Sequence, residues 1–423
     1  MAPHTNLMKI KSNIMTALAG CLALAFSALP VRAEVQGDTI LVGPDEQHTT
    51  INSALASIPA ADFDANVIVQ IRAGTYEPFD TDPKSVLNGK PSRTKRDKRL
   101  IIQAAPGEEV VIRHAKPFPS LIRESHVTVQ GIKFTGIESN PTAAYLTIGT
   151  PGYETPTNQR GGIIVQNCEF VGARGLAGLV DPQFDREEEG VDFSFAFVRN
   201  AVMKFESHFE IPGRSALPQF HGGNLYADWG GLGGQSIFRP NTRAGDGARW
   251  FLNNTLATRT GSLTGVLRLG EGPWNQVVFS NNVTFWASPV ENQIYQMFDT
   301  QPTDSKWPVS SHNLCFQETP LNWARLIGTS YASVGQWMKK MEAMGGQDGE
   351  TLESDPQFVN AAAGDFRLKS GSPACKCADS SAWQSALKAL GIEAQLSSYW
   401  NPLREKGFQT GPMENLGAMK TAL

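Results

Sequence analysis

An all-β chain wound as a parallel β-helix is what this sequence predicts, and three observations carry the expectation. The first is composition: 423 residues with 40 Gly and 26 Pro, 18% charged, and few apolar stripes of helical length. Such a chain breaks into many short strands separated by turns. The second is a self-match: HVTVQGIKFTG (126–136) lies over GIIVQNCEFVG (162–172) with Gln130 on Gln166, an offset of 36. The third is an asparagine that returns in similar surroundings, at Asn167, Asn200, Asn224, Asn254, Asn282 and Asn313. Its successive offsets are 33, 24, 30, 28 and 31, with Asn224 the loosest fit. Self-similarity at 20–50 residues marks a repeat architecture, and offsets this irregular suit stacked coils better than propeller blades. An inward Asn at a bend hydrogen-bonds turn backbone that would otherwise be buried unpaired, so the column is read as structural rather than catalytic.

The chain opens on Lys9 and Lys11, an apolar run from Ile14 to Leu29, and Val31-x-Ala33. This is the anatomy of a signal peptide over 1–33, with Glu34 as the mature start and a secreted or periplasmic destination. The run is short for a membrane span, and no transmembrane candidate follows it. Leu18-Ala19-Gly20-Cys21 resembles a lipoprotein box, but the apolar run continues well past Cys21, which favours ordinary cleavage. Thr39–Val42 reads as a strand. Residues 49–58 read as a helix, because Ile51, Leu55 and Ile58 fall at helical spacing behind Thr caps. Two strand pairs follow, Val67–Ile71 with Ala73–Tyr76 and Leu100–Ala104 with Val110–Ile112, separated by a basic loop over 84–99 that includes Arg99.

The β-helix domain is assigned to 34–378, with an amphipathic segment Val334–Met344 packing along its side. Residues 379–423 are assigned as a C-terminal segment capping the end. Net charge is −4, so no whole-molecule electrostatic argument for nucleic acid exists, and a monomer is expected. Cys168, Cys315, Cys375 and Cys377 do not make a disulfide framework in a chain of this size and are read as buried or incidental thiols.

The opening half, with its strand, cap helix, IVQIRAGTY and LIIQAAPGEEVVI, resembles the pectin-lyase-like superfamily of right-handed parallel β-helices. DPQFVNAAAGDFRLKSGSPA (355–374) resembles the last coil of many bacterial members, which implies that it is a final rung closing the open sheet edge. The likeness covers nearly the whole mature chain and is specific for architecture. It implies a polysaccharide substrate, handled by lyases, hydrolases, esterases or epimerases, and fold alone does not choose among them.

Polar and aromatic residues are densest over 199–268. β-Elimination from a uronate needs a group to neutralise the carboxylate, a base for the C5 proton and an acid for the leaving oxygen. Lys204 or His208 is the expected base, His221 and Tyr226 are acid-or-base alternatives, and Arg239, Arg243 and Arg249 form an anion-binding set. Lys204 and Asp228 each lie four residues after a column Asn, which makes them neighbours on adjacent coils. Arg239 and Arg268, 15 and 14 residues before theirs, are expected to stack on one face. Trp229 in the Gly-rich loop 221–234 offers a ring for sugar stacking.

The acidic loop 181–192 is read as a solvated charge run, with Ca²⁺ as its alternative occupant; no other metal or cofactor is expected. The reading is an exported enzyme cleaving an acidic polysaccharide by β-elimination. Its alternatives are a glycoside hydrolase using a pair from Glu206, Glu210, Asp228 and Asp246, a uronate C5-epimerase, or a non-catalytic polysaccharide-binding or export protein with Trp250, Trp274 and Trp286 among its aromatics.

Overall fold

The computed structural model describes residues 37–59, 64–81, 98–114, 120–122, 126–136, 145–148, 160–172, 193–204, 217–228, 236–238, 247–259, 265–269, 274–287, 296–298, 306–318, 324–375 and 381–391. These belong to one compact unit beginning at Gly37, which is a parallel β-helix.

The first sheet stacks eleven strands among the described residues, and their spatial order is their order along the chain. They are Gly37–Val42, Asn66–Ile71, Leu100–Ala104, Val127–Gln130, Arg160–Gln166, Phe193–Val198, Gln219–Gly222, Arg249–Leu252, Val277–Ser280, Val309–Ser311 and Gln347–Gly349. A second sheet of ten strands runs from Gly74–Tyr76 to Leu352–Glu353 in the same order, one strand per coil. Pairing in both is parallel throughout. A third sheet joins Ser236–Phe238, Gly265–Leu269, Gln296–Phe298 and Ala324–Leu326 in parallel, with Thr329–Tyr331 added antiparallel.

Alternate residues of each strand face the interior. In the first sheet the register lines up Val69, Ile102, Val129, Val165, Phe197, His221, Phe251 and Phe279 as one buried column. A second interior column holds Val127, Ile163, Phe195, Gln219, Arg249 and Val277. In the second sheet Phe134, Phe170, Val202, Tyr226, Leu256, Thr284 and Cys315 repeat the pattern.

Each corner between the two sheets holds a left-handed residue, at Gly131, Asn167, Arg199, Gly223, Asn253, Asn281, His312 and Glu350. Gly131 makes its corner alone, and after Arg199, Gly223, Asn253, Asn281 and His312 the next residue is the column asparagine. From Asn200 onward each amide repeats one pattern: Asn224 Nδ2 donates to Asn254 Oδ1 (3.0 Å) and to Phe197 O (2.9 Å), while Asn224 N donates to the same Asn254 Oδ1 (3.1 Å). The ladder continues through Asn282 to Asn313. Its start is shifted by one residue from expectation. Gln166 pairs with Val198, so Asn167 sits in the left-handed position and Cys168 holds the column site, its N–H donating to Asn200 Oδ1. Over the earlier coils an outward ladder of Gln70, Gln103, Gln130 and Gln166 runs instead, with the expected match of Gln130 to Gln166.

Helix α1 (Ile51–Ser57) starts at Thr50, whose hydroxyl accepts from Ser53 N (3.0 Å), and it buries Ile51, Ala54 and Leu55 in the interior cluster. Helix α2 (Val334–Ala343) contributes Val334, Trp337 and Met341 to that same cluster near the last coil.

The C-terminal segments differ from expectation. Residues 358–368 add no rung to either main sheet. Phe358–Asn360 and Asp365–Leu368 form an antiparallel hairpin whose Phe358 and Phe366 pack on the outer face of the second sheet, over Leu225, Ala257, Val283 and Phe285. The reason is local: Asn360 caps a 3₁₀ turn and Gly364 closes it left-handed at φ 81°, so the chain reverses after three residues. Helix α3 (Ser381–Leu390), the described part of the expected end cap, lies on the flank of the first sheet. Its Trp383, Ala386 and Leu387 cover Ile164, Ala196, Val198, Phe220 and Leu252. Those outward positions are apolar, and a parallel sheet with two apolar faces needs both covered.

The basic loop ends inward. Arg99 is buried and donates to Thr128 Oγ1 (3.1 Å) and Gly162 O (2.6 Å), and burial holds its guanidinium down to about 10. Cys168 and Cys315 are buried free thiols, and burial pushes Cys168 up to about 12. No helix among the described residues is long and apolar enough to cross a membrane.

Candidate functional site

The chain leaves the second sheet at a corner whose residues are stacked by the strand register. Met203 pairs with Ala227, so Lys204 and Asp228 follow as neighbours on adjacent coils, as their spacing from the asparagines implies. Both are left-handed, at φ 61° and 52°, and each is held by a backbone bond to the next coil: Lys204 N to Ala227 O (3.0 Å) and Asp228 N to Ala257 O (2.9 Å). Non-glycine residues with positive φ are uncommon, and away from the inter-sheet corner they mark places where the fold imposes a direction on a side chain. Lys204 is exposed.

Asp228 is committed to Arg259. The Arg259 Nε donates to Asp228 Oδ1 (2.8 Å) and its Nη2 to Asp228 Oδ2, a two-pronged pair. Those bonds hold the Arg259 guanidinium above its usual value. Arg259 also donates through Nη1 to Ala362 O (3.1 Å) and lies 5.8 Å from the Phe366 ring centroid, so the pair ties the corner to the C-terminal hairpin. Arg259 escapes a search by residue type, although coil arithmetic finds it: it lies 31 residues after Asp228, one coil on. With both carboxylate oxygens on Arg259, Asp228 acts as a structural anchor rather than as a sugar-binding group.

Three expected site residues are withdrawn into the interior. His221 is 1% exposed, its ring stacked on Phe251 (5.3 Å between centroids) and edge-on to Phe195. Burial, with the nearby Arg249 charge, pushes it down to about 3, so it is neutral at ordinary pH. Tyr226 is fully buried against Phe238, and burial drives its hydroxyl well above 10. Arg249 is buried as well, and its Nη1 donates to Gly247 O (2.7 Å) and Leu217 O (3.3 Å). None of the three meets a surface-bound chain. Each occupies a place in an interior column.

Arg268 is half-buried on the third sheet, where the register carries it through Met297 to the exposed Arg325. His208, Trp229, Arg239 and Arg243 lie outside the described residues, as do Glu206, Glu210, Asp246, the acidic loop 181–192 and the leader 1–33. The stacking of Arg239 with Arg268 falls outside them for the same reason. Among the described residues no group of three or more His, Cys, Asp and Glu is arranged to hold a metal ion.

No family model and no curated protein matches this chain. Among solved structures the chain is similar to one described as the complex structure of XylC with xylose, at 10% identity and a TM-score of 0.33; the match covers 68% of this chain and 66% of that one. At that level the likeness says nothing about ligand, and the fold stands on the strand pairing above.

Proposed function

We propose that this protein acts on an extended acidic polysaccharide laid along the corner where the chain leaves the second sheet, cleaving it by β-elimination with Lys204 as the base. The observation that carries the reading is Lys204 itself: exposed, left-handed, fixed by a backbone bond to the next coil, and beside an aspartate whose charge is already spent on Arg259. A lysine whose backbone is fixed at an exposed corner meets the positional demand on a general base, which is to reach the C5 proton of a sugar bound along that corner. The withdrawal of His221 and Tyr226 strengthens this assignment, because it leaves Lys204 as the solvent-facing base candidate among the described members of the expected set. Arg268, with Arg239 and Arg243 from outside the described residues, would neutralise the uronate carboxylate and so make that proton removable. Stacked coils repeat about every 4.8 Å, which presents similar positions at regular intervals along an extended chain.

The test is incubation with a panel of uronate polymers, following absorbance of the unsaturated product. Wild-type protein should generate it, and Lys204→Ala should slow its appearance about 10²- to 10⁴-fold with an unchanged thermal melt. Full turnover by Lys204→Ala would remove the base assignment. New reducing ends without absorbance would replace elimination by hydrolysis, and binding without either product would make the protein a non-catalytic receptor.

A further inference from the structure

The outer face of the second sheet carries one more feature that the elimination site does not use. Its register stacks Met203, Ala227, Ala257, Phe285 and Phe316 in one outward column. The hairpin covers this column as far as Phe285, which is buried edge-on against Phe358 (5.3 Å between centroids, 77°). The next ring, Phe316, packs against the same cluster but is covered only in part. That ring is half-buried and stacks on Phe285, 15° between planes and 5.7 Å between centroids, and the part of it that the stack leaves uncovered borders a recess of about 320 Å³.

The rim of the recess is polar. Glu318, Asp355, Gln357 and Lys369 line it with exposed side chains. Its backbone is fixed: Gln357 is left-handed at φ 54°, its N–H donates to Asp355 Oδ1 (2.8 Å), and its carbonyl accepts from Lys369 N (3.0 Å). Glu318 is set by its N–H bond to Trp286 O (3.0 Å). A small-molecule site combines an apolar, aromatic floor with a few placed polar groups, in a volume from about 300 Å³ upward. An aromatic face suits the C–H face of a pyranose, and carboxylates and an amide suit its hydroxyls. Two carboxylates against one ammonium disfavour a uronate here, since like charges repel and desolvating them costs more.

We propose that this recess is a subsite for a neutral pyranose unit, stacked on Phe316 and hydrogen-bonded by Glu318, Asp355 and Gln357. The proposal rests on the polysaccharide reading above and refines it. Phe316 lies four coils from Met203, roughly 19 Å along the stack, so one chain carrying both uronate and neutral units would meet Lys204 and Phe316 together.

The test is calorimetric titration of the full chain with four probes: xylohexaose, cellohexaose, mannohexaose and hexagalacturonate. At least one neutral probe should bind. Phe316→Ala should weaken that binding tenfold or more, and Asp355→Asn, a change on the exposed rim, should weaken it severalfold without disturbing the melt. Should Phe316→Ala fail to fold, Asp355→Asn and Gln357→Ala carry the decision. The proposal is overturned by absence of neutral binding to wild type, by variants that bind as wild type does, or by hexagalacturonate binding that the rim variants weaken. Failure of the two ideas is separable. Neutral binding without unsaturated product from uronate polymers removes β-elimination and leaves the subsite, whereas product without neutral binding removes the subsite and leaves β-elimination.

Discussion

Asn254 illustrates what a single amide does in a stacked coil. Its Oδ1 accepts from both the backbone and side-chain nitrogens of Asn224, while its Nδ2 donates to His221 O and Asn282 Oδ1. Replacing it by alanine strands the Asn224 N–H, the His221 carbonyl and part of Asn282 in a dry corner, at about 1–3 kcal/mol for each buried group left unmet. Asn254→Ala should therefore lower the unfolding free energy by about 4 kcal/mol in urea titration followed by tryptophan fluorescence. Its neighbour Asn253 has the opposite character. It is left-handed at φ 57°, and its buried amide atoms have no hydrogen-bond partner among the described residues, so its value lies in tolerating that backbone. Asn253→Gly keeps the backbone, removes the unmet amide, and should leave the protein as stable or about 1 kcal/mol more so. Asn253→Val should cost about 1–2 kcal/mol in the same titration.

Among the elements, helix α3 is the one whose removal can be read most simply. Trp383 stands edge-on to Phe220 (4.8 Å, 82°), and a Cβ on Gly222 would sit 2.7 Å from the indole, so the absence of a side chain at Gly222 is what admits the ring. Trp383→Ala should cost about 3–5 kcal/mol of helix docking, and limited proteolysis should then release the C-terminal segment while the coils remain protected. The middle coils are legible in the sequence because the asparagine at their corners recurs from Asn200 to Asn313, while the earlier coils show instead in the match of Gln130 to Gln166. Residue type is a poor guide to the direction of individual side chains in a coil, and strand parity is the better one. His221 stands three residues before its column Asn, as do Phe197, Phe251 and Phe279 before theirs; Tyr226 stands two after, as do Val202, Leu256 and Cys315. Those sets are apolar, and an apolar column points inward. The hairpin departs from the expected final rung for a related reason: Asp365–Leu368 has a strand's alternation, but it pairs antiparallel with Phe358–Asn360 and no corner of the asparagine ladder leads into it.

At the scale of the whole molecule, acid should unfold this protein through its interior histidines. His221 is held down to about 3 and His114, stacked on Tyr145 and buried, to about 4, in each case chiefly by burial. Both are neutral in the folded chain and take up a proton near pH 6.5 when it unfolds. The unfolded state therefore binds more protons, and stability falls as pH drops below about 6.5, by up to about 1.4 kcal/mol per pH unit for each histidine. Urea midpoints between pH 7 and 4 should show that slope, and His221→Phe, which continues the aromatic column of Phe197 and Phe251, should reduce it. An unchanged slope would mean that His221 is not the group titrating.

The corner ladder has one further consequence. Because each asparagine hands the same bonds to the next, neighbouring turns present interchangeable ends, and the span from Asn254 to Asn282 could be excised or duplicated as a single brick. The length of the stack is in that sense set in whole courses of masonry, and the hairpin that Arg259 ties to this course is the fitting that a change of length displaces.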